Sequence, residues 1–234
     1  MAVRRVCTRP NMPDTSLPIT VQVDIVSDVV CPWCIVGYLQ LMQALEQTGI
    51  TATPHWHPFE LNPDMPATGE NLRDHIMRKY GSTPEQSQAA RDNLTALGAD
   101  LGFAFNFSDA SHMVNTFRAH QLLDWAAAQD LQHPLKLALF KAYFTDGLDV
   151  SDDDILVGIA ASVGLNATDA QGVLTAGTHA APTREKQTFW TGRGIQGVPA
   201  MVFAGKYLLT GAQGAENYAN VLQRCVQDAA HDHG

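Results

Sequence analysis

Apolar and polar residues alternate near the start of the chain, with Ile19, Val21, Val23 and Ile25 set against Thr20, Gln22, Asp24 and Val26. Period two predicts a strand, closed by Ser27 and Asp28. Ile35, Leu39, Met42 and Leu45 then recur at helical spacing until Gly49 stops the run. Residues 51–59 return to period two, with Thr51, Thr53, His55 and His57 on one face and Ala52, Trp56 and Pro58 on the other. Strand, helix, strand over this length predicts a right-handed βαβ crossover.

Residues 61–69 are rich in Pro and Asn and predict a loop. From there to about Trp190 the pattern is helical, in segments near 69–80, 84–101, 115–130, 134–146, 152–163, 167–176 and 182–191. Pro84, Pro134 and Pro182 suit first-turn positions, where an N–H has no intrahelical partner. The cluster Ser151-Asp152-Asp153-Asp154 predicts a helix N-cap, not a metal site. Short strands follow at 200–204 and 207–210 about a Gly205-Lys206 turn. A last helix spans 215–229, with Tyr218, Val221, Leu222, Cys225 and Val226 on its apolar stripe. The order is βαβ, a large all-α insertion, then ββα, an α/β fold. It divides into an N-terminal extension expected to be disordered (1–17), a strand-containing domain (18–62 and 193–230) and an inserted helical domain (63–192).

Composition narrows the function. With 45% hydrophobic and 17% charged residues, the 234-residue chain can build a substantial core. A formal charge of −9 argues against nucleic-acid binding, which needs clustered Lys and Arg. No run of about 18 apolar residues predicts a membrane span. Near the N-terminus, Arg4, Arg5 and Arg9 are followed by Pro10, Pro13, Asp14 and Pro18 instead of an apolar segment. The expectation is a cytoplasmic protein without a secretory signal.

Of the four cysteines, Cys7 and Cys225 stand apart and read as bystander thiols, while Cys31-Pro32-Trp33-Cys34 has a spacing with chemical meaning. Disulfide exchange proceeds through a thiolate. Pro32 suits the first helical position, which puts Cys31 near the N-cap, facing free N–H groups and the positive end of the helix dipole. Cys34 lies one turn on and is more covered. Cys31 is therefore the expected attacking thiol and Cys34 the resolving one. A zinc half-site and a pair of ordinary core cysteines are the alternatives; zinc would need two further ligands, and His55 and His57 read as strand residues. Later, Gly197-Val198-Pro199-Ala200 places a proline at the start of a strand. In a βαβ…ββα arrangement this loop would lie beside Cys31. Were its peptide bond cis, the Val198 backbone could pair with an extended substrate. Residues 192–197 match GxGxxG but follow a helix and precede a strand, so they read as a loop. Arg118, His120 and Trp125 read as ordinary amphipathic-helix residues.

The CPWC following a strand, together with Gly-Val-Pro-Ala-Met-Val-Phe near the end, resembles the thioredoxin superfamily, and the long insertion resembles its DsbA-like branch. Residues 27–34, Gly197-Val198-Pro199, Gly205-Lys206-Tyr207, Gly211-Ala212-Gln213 and Asn115 to Ala126 resemble the FrnE-type subgroup. The likeness runs from about residue 19 to 228. It implies a thioredoxin fold with a helical insert, Cys31 as nucleophile, Cys34 as resolver, Pro199 as a cis-proline, and Pro32, Trp33 and Val198 contacting substrate. It implies dithiol–disulfide oxidoreductase or isomerase activity on thiol or disulfide substrates, protein or small molecule, without a bound cofactor or metal. Related 2-hydroxychromene-2-carboxylate isomerases and kappa-class transferases use glutathione as co-substrate, with serine at the position of Cys31. The resemblance also suggests an acid under the resolving cysteine as proton acceptor, for which Asp24 is the candidate, and His112 and Asn115 as residues near the cleft. Pro-Trp replaces the Pro-His of strong oxidants, which implies a less oxidising poise.

Overall fold

The computed structural model describes residues 20–232. The elements are β1 (Thr20–Ser27), α1 (Pro32–Thr48), β2 (Thr51–Pro58), β3 (Glu70–Asn71), α2 (Leu72–Tyr80), α3 (Pro84–Asp100) and β4 (His112–Met113). They continue with α4 (Phe117–Ala127), α5 (Gln132–Phe144), α6 (Asp153–Ser162), α7 (Ala167–Ala176), α8 (Ala180–Thr191), β5 (Ala200–Phe203), β6 (Tyr207–Thr210) and α9 (Ala215–Asp232). The predicted extension and Cys7 lie outside the described residues.

The main sheet has the order β2-β1-β5-β6. β1 and β2 run parallel with Asp24 opposite His55, β5 lies antiparallel to β1 with Ile25 opposite Met201, and β6 completes a hairpin. This is the expected βαβ and ββα pair sharing one sheet. A second ladder, β3 with β4, joins the residues before α2 to those before α4. At two residues per strand it is too short to leave a periodic signal.

Local chemistry explains most boundaries. Gly49, at φ 66°, donates its N–H to the Leu45 carbonyl and ends α1. Thr83 and Gln86 form a reciprocal capping box at the start of α3, and the Asp152 side chain accepts from the Ile155 N–H to start α6. The late hairpin differs from expectation by one residue. Its turn is Ala204-Gly205, not Gly205-Lys206, because both residues have positive φ, 50° and 66°, and the Lys206 N–H bonds the Phe203 carbonyl. Two consecutive positive-φ residues match the twist of a tight hairpin.

A small apolar cluster gathers Val26, Trp190, Ile195 and Ala200, and two large ones fill most of the molecule. One lies between the main sheet, α1 and α9 and includes Ile25, Cys34, Leu41, Phe203 and Tyr218. It also takes Leu94, Phe140 and Phe144 from the insertion. The other fills the insertion, around Leu122, Leu135, Leu139 and Leu156, and takes Val29 and Val30 from the β1–α1 connection. Gln132 fastens α5 to the edge strand β2 by accepting from the Trp56 N–H and donating to its carbonyl. The β1–α1 connection therefore lies on the seam between the two cores.

Candidate active site

β1 ends at Ser27, and the chain bends so that the Cys31 N–H reaches the Asp28 carbonyl at 3.3 Å. Cys31 is the N-cap of α1, extended at φ −92° and ψ 110°, and Pro32 opens the helix. The Cys31 Sγ makes no capping hydrogen bond to the helix. It lies 3.6 Å from the Val198 carbonyl, to which it can donate. The Val198–Pro199 peptide bond is cis. Gly37 lets α1 come close here: a methyl group in its place would meet Tyr218, Met201 and Pro199 at 3.2–3.3 Å. Cys31 is 3% exposed and Cys34 0%, and both are free thiols.

A cavity of about 370 Å³ opens on this pair. Cys31, Pro32 and Val198 line it together with Leu61, His75 and Tyr80. Trp33, 47% exposed, stands at its wall. Cys34 is absent from the lining, one helical turn deeper. Helices α2 and α3 form the opposite wall through residues such as Ile76 and Leu94. Lys79 ties α2 to the connection after β2, bonding the Leu61 carbonyl at 2.8 Å and Asn62 at 2.6 Å.

Beneath the cysteines sits a charged group that the pattern of residues did not reveal. Asp28, fully buried, accepts from the Leu61 N–H at 2.7 Å and lies 3.3 Å from His120 Nε2. Burial opposes its ionisation, but His120, the Leu61 N–H and the positive charge of Lys136 outweigh this and hold its carboxyl below the ordinary value. Lys136, on α5, is 1% exposed. Burial lowers its ammonium pKa to about 8, against the opposing pull of Cys34, Asp28 and Cys31.

The two thiols lie within hydrogen-bonding reach of each other and their ionisations are linked. Burial works against a thiolate on Cys34, but the hydrogen bond from Cys31, the charge of Lys136 and the Ser27 hydroxyl outweigh it and lower its pKa. The hydrogen bond to Cys34, burial and the charge on Cys34 raise the pKa of Cys31. The cation and the hydroxyl that favour a thiolate act on Cys34, whereas Cys31 at the helix start has burial and its neighbour against it.

The structure brings Cys31, Pro32, Trp33, Cys34, Val198 and Pro199 together. It does not bring Asp24 to them. Successive side chains of a strand face opposite ways. Val23 and Ile25 face the cysteines, whereas Asp24 points to the other side of the sheet, pairs with His57 at 2.8 Å and borders Trp190. Asn115 caps the start of α4 through the Phe117 N–H, and His112 bonds the Ala110 carbonyl. Neither lies in the group around the cysteines. Cys225 packs into the α9 side of the core. Among the described residues, no cluster of three or more His, Cys, Asp or Glu is placed to hold a metal.

A cysteine pair at a helix start, beside a cis-proline at one end of a four-stranded sheet, can be compared with known proteins. The DSBA-like thioredoxin domain family matches residues 22–223. The chain belongs to this family. A probable DsbA oxidoreductase from Streptomyces coelicolor superposes with a TM-score of 0.81 at 32% identity, over 87% of this chain and 89% of its own. The cytosolic disulfide reductase DsbM from Pseudomonas aeruginosa has the same fold at TM-score 0.60 and 14% identity, over 88% of this chain and 98% of its own. The Bacillus subtilis (strain 168) protein YwbO is 25% identical over 210 residues, 89% of this chain and 97% of its own. The DSBA-like fold with its helical insertion is thus present, and no helix among the described residues is long and apolar enough to cross a membrane.

Proposed function

We propose that this DSBA-like protein is a dithiol–disulfide oxidoreductase of the reductase or isomerase kind, working in the cytosol on protein or small-molecule disulfides. Cys31 is the attacking sulfur because it alone of the pair lines the cavity. Substrate enters beside Pro32, Trp33 and the Val198–Pro199 edge. The shared proton passes across the S–H···S hydrogen bond to Cys34, and the Cys31 sulfur attacks one substrate sulfur. The substrate S–S bond breaks, its electron pair leaves on the second sulfur as thiolate, and a mixed disulfide forms. Cys34 passes its proton to that leaving thiolate, attacks Cys31, releases the first sulfur as a thiolate and closes the Cys31–Cys34 disulfide. A reducing cytosolic poise returns the pair to dithiol, with glutathione as the reductant to test.

The observation that carries this reading is the pairing of a cavity-lining sulfur with a hydrogen-bonded, fully covered partner one turn away. A covered second thiol serves resolution, not substrate binding. Cys31→Ser is expected to abolish insulin-disulfide reduction. Cys34→Ser is expected to accumulate a mixed disulfide on Cys31, seen by mass spectrometry of the intact protein. Full activity in the Cys31→Ser protein would refute the reading.

A further inference from the structure

The cavity on Cys31 has a chemical character that disulfide exchange by itself does not require. Its walls are largely apolar and aromatic, with Ile76, Leu94, Phe107, Met113 and Phe144 among them. Phe107 and Phe144 meet edge to face with centroids 6.4 Å apart, and both pack on buried Phe105, at 5.5 and 5.2 Å. That wall is therefore braced from behind. Exposed Trp33, beside the cysteines, and exposed Tyr80, at the end of α2, carry the lining to the surface. A volume of about 370 Å³ suits a small organic molecule.

Two buried polar side chains interrupt the apolar surface. His75 on α2 and Ser87 on α3 are 3% and 4% exposed, and both line the cavity. His75 Nδ1 lies 2.8 Å from the Glu70 carboxylate, which Arg78 keeps ionised with a pKa of about 2. A carboxylate only accepts, so Nδ1 carries the proton, and Nε2 of the neutral imidazole is then an acceptor. Among the described hydrogen bonds, none involves His75 Nε2 or the Ser87 hydroxyl. Buried polar atoms are ordinarily paired, so these two are handles for a bound molecule. Charge is scarce by comparison. Arg91 is the one lysine or arginine on the lining, no Asp or Glu joins it, and its guanidinium already donates to Gln88 at 2.6 Å.

We infer that the cavity selects a small disulfide with an apolar, aromatic body and an uncharged hydroxyl, in preference to glutathione disulfide. This rests on the dithiol chemistry above and names its substrate class. Each half of glutathione disulfide carries two carboxylates and an ammonium. Seating one here strips those charges of water against a single guanidinium. An aromatic body gives up no such hydration, and its hydroxyl can donate to His75 Nε2 or bond the Ser87 hydroxyl. The balance is that of the dithiol reaction. The substrate RSSR takes two electrons from the Cys31–Cys34 pair, its S–S bond breaks, and the two thiol protons complete two RSH as the Cys31–Cys34 bond closes.

The test uses the full chain, reduced with dithiothreitol and then freed of it. Three probes are compared: bis(4-hydroxybenzyl) disulfide, dibenzyl disulfide and glutathione disulfide. Closure of Cys31–Cys34 is followed by acid quench, alkylation and mass spectrometry. Each rate is divided by that of free dithiothreitol with the same probe, which cancels intrinsic reactivity. The hydroxybenzyl probe is expected to exceed glutathione disulfide by about tenfold. It is expected to exceed dibenzyl disulfide by about fivefold, the worth of one hydrogen bond. His75→Leu or Ser87→Ala is expected to remove that second advantage and leave the dibenzyl rate unchanged. Ile76→Arg, which adds a cation to the wall, is expected to narrow the gap to glutathione disulfide. Glutathione disulfide reacting as fast as the hydroxybenzyl probe, or a hydroxyl advantage that survives both His75→Leu and Ser87→Ala, would overturn the proposal. If a variant does not fold, the three probes on the unsubstituted chain decide alone. Closure with the general thiol oxidant diamide but with none of the three probes would overturn the substrate class only. No closure even with diamide would sink the oxidoreductase reading itself.

Discussion

Asp28 shows how much one side chain can depend on distant parts of the chain. It follows Ser27 at the end of a strand, where an acid reads as a strand terminator. In the folded protein its partners come from residue 61, from α4 and from α5. Removing one member of a buried charged group leaves the others unpaired, which costs more than the group's net worth. Asp28→Asn is therefore expected to lower stability by about 3 kcal/mol at pH 7, measured by urea unfolding. The sign of the pH dependence follows from its depressed folded pKa. Asp28's stabilisation is complete above the ordinary value of 3.8 and is lost as pH falls through the lower folded value. The Asn protein should lack this acid-side loss. An Asn protein as stable as the parent at pH 7 would contradict the described network.

At the scale of elements, the close approach of α1 to β5 and α9 decides where the cysteines stand. Gly37 is the contact point, and two effects compete there. Alanine in a helix gains up to about 1 kcal/mol over glycine in propensity. Against this, its methyl would press on Pro199, Met201 and the Tyr218 hydroxyl at 3.2–3.3 Å. Tyr218 cannot yield easily, because its hydroxyl donates to the Gly211 carbonyl at 3.1 Å and it has no exposed surface. Overpacking typically costs about 1–3 kcal/mol, so Gly37→Ala is expected to destabilise by about 1 kcal/mol net. A raised urea midpoint would show that the helix term wins. The elements themselves were largely legible. The β1 alternation, the Gly49 stop, the capping acids at 152–154 and the helical run of the insertion all rest on local rules that survive folding. The Ala204-Gly205 turn and the β3–β4 ladder were not legible. One depends on a positive φ at an alanine, and the other pairs Glu70 with Met113 and Asn71 with His112, distant in sequence and too brief for any period.

For the molecule as a whole, the dithiol lies where two apolar cores meet, walled by α2 and α3 on one side and by the β5 start on the other. That setting ranks the cysteines. Cys31 lines a cavity, Cys34 has no exposed surface and Cys225 packs from α9 into the core. Iodoacetamide is expected to label Cys31 first in the native reduced protein, with Cys34 and Cys225 lagging. The difference should vanish in denaturant, where packing no longer screens them. Equal native rates, read by peptide mass spectrometry, would show that the cavity does not control access.

The chain's pattern by itself determined the strand–helix–strand start, the helical insertion, the hairpin and closing helix, and the CPWC at a helix N-terminus, because each is a relation among neighbours in sequence. The tertiary structure alone decided that Asp24 lies away from the cysteines, since that turns on which face of β1 meets α1. It also decided that His120, 92 residues beyond Asp28, pairs with that carboxylate, and that Lys136 is buried against Trp56 and Phe140. Electrostatic effects depend on distance and burial in three dimensions, and no spacing along a chain encodes either.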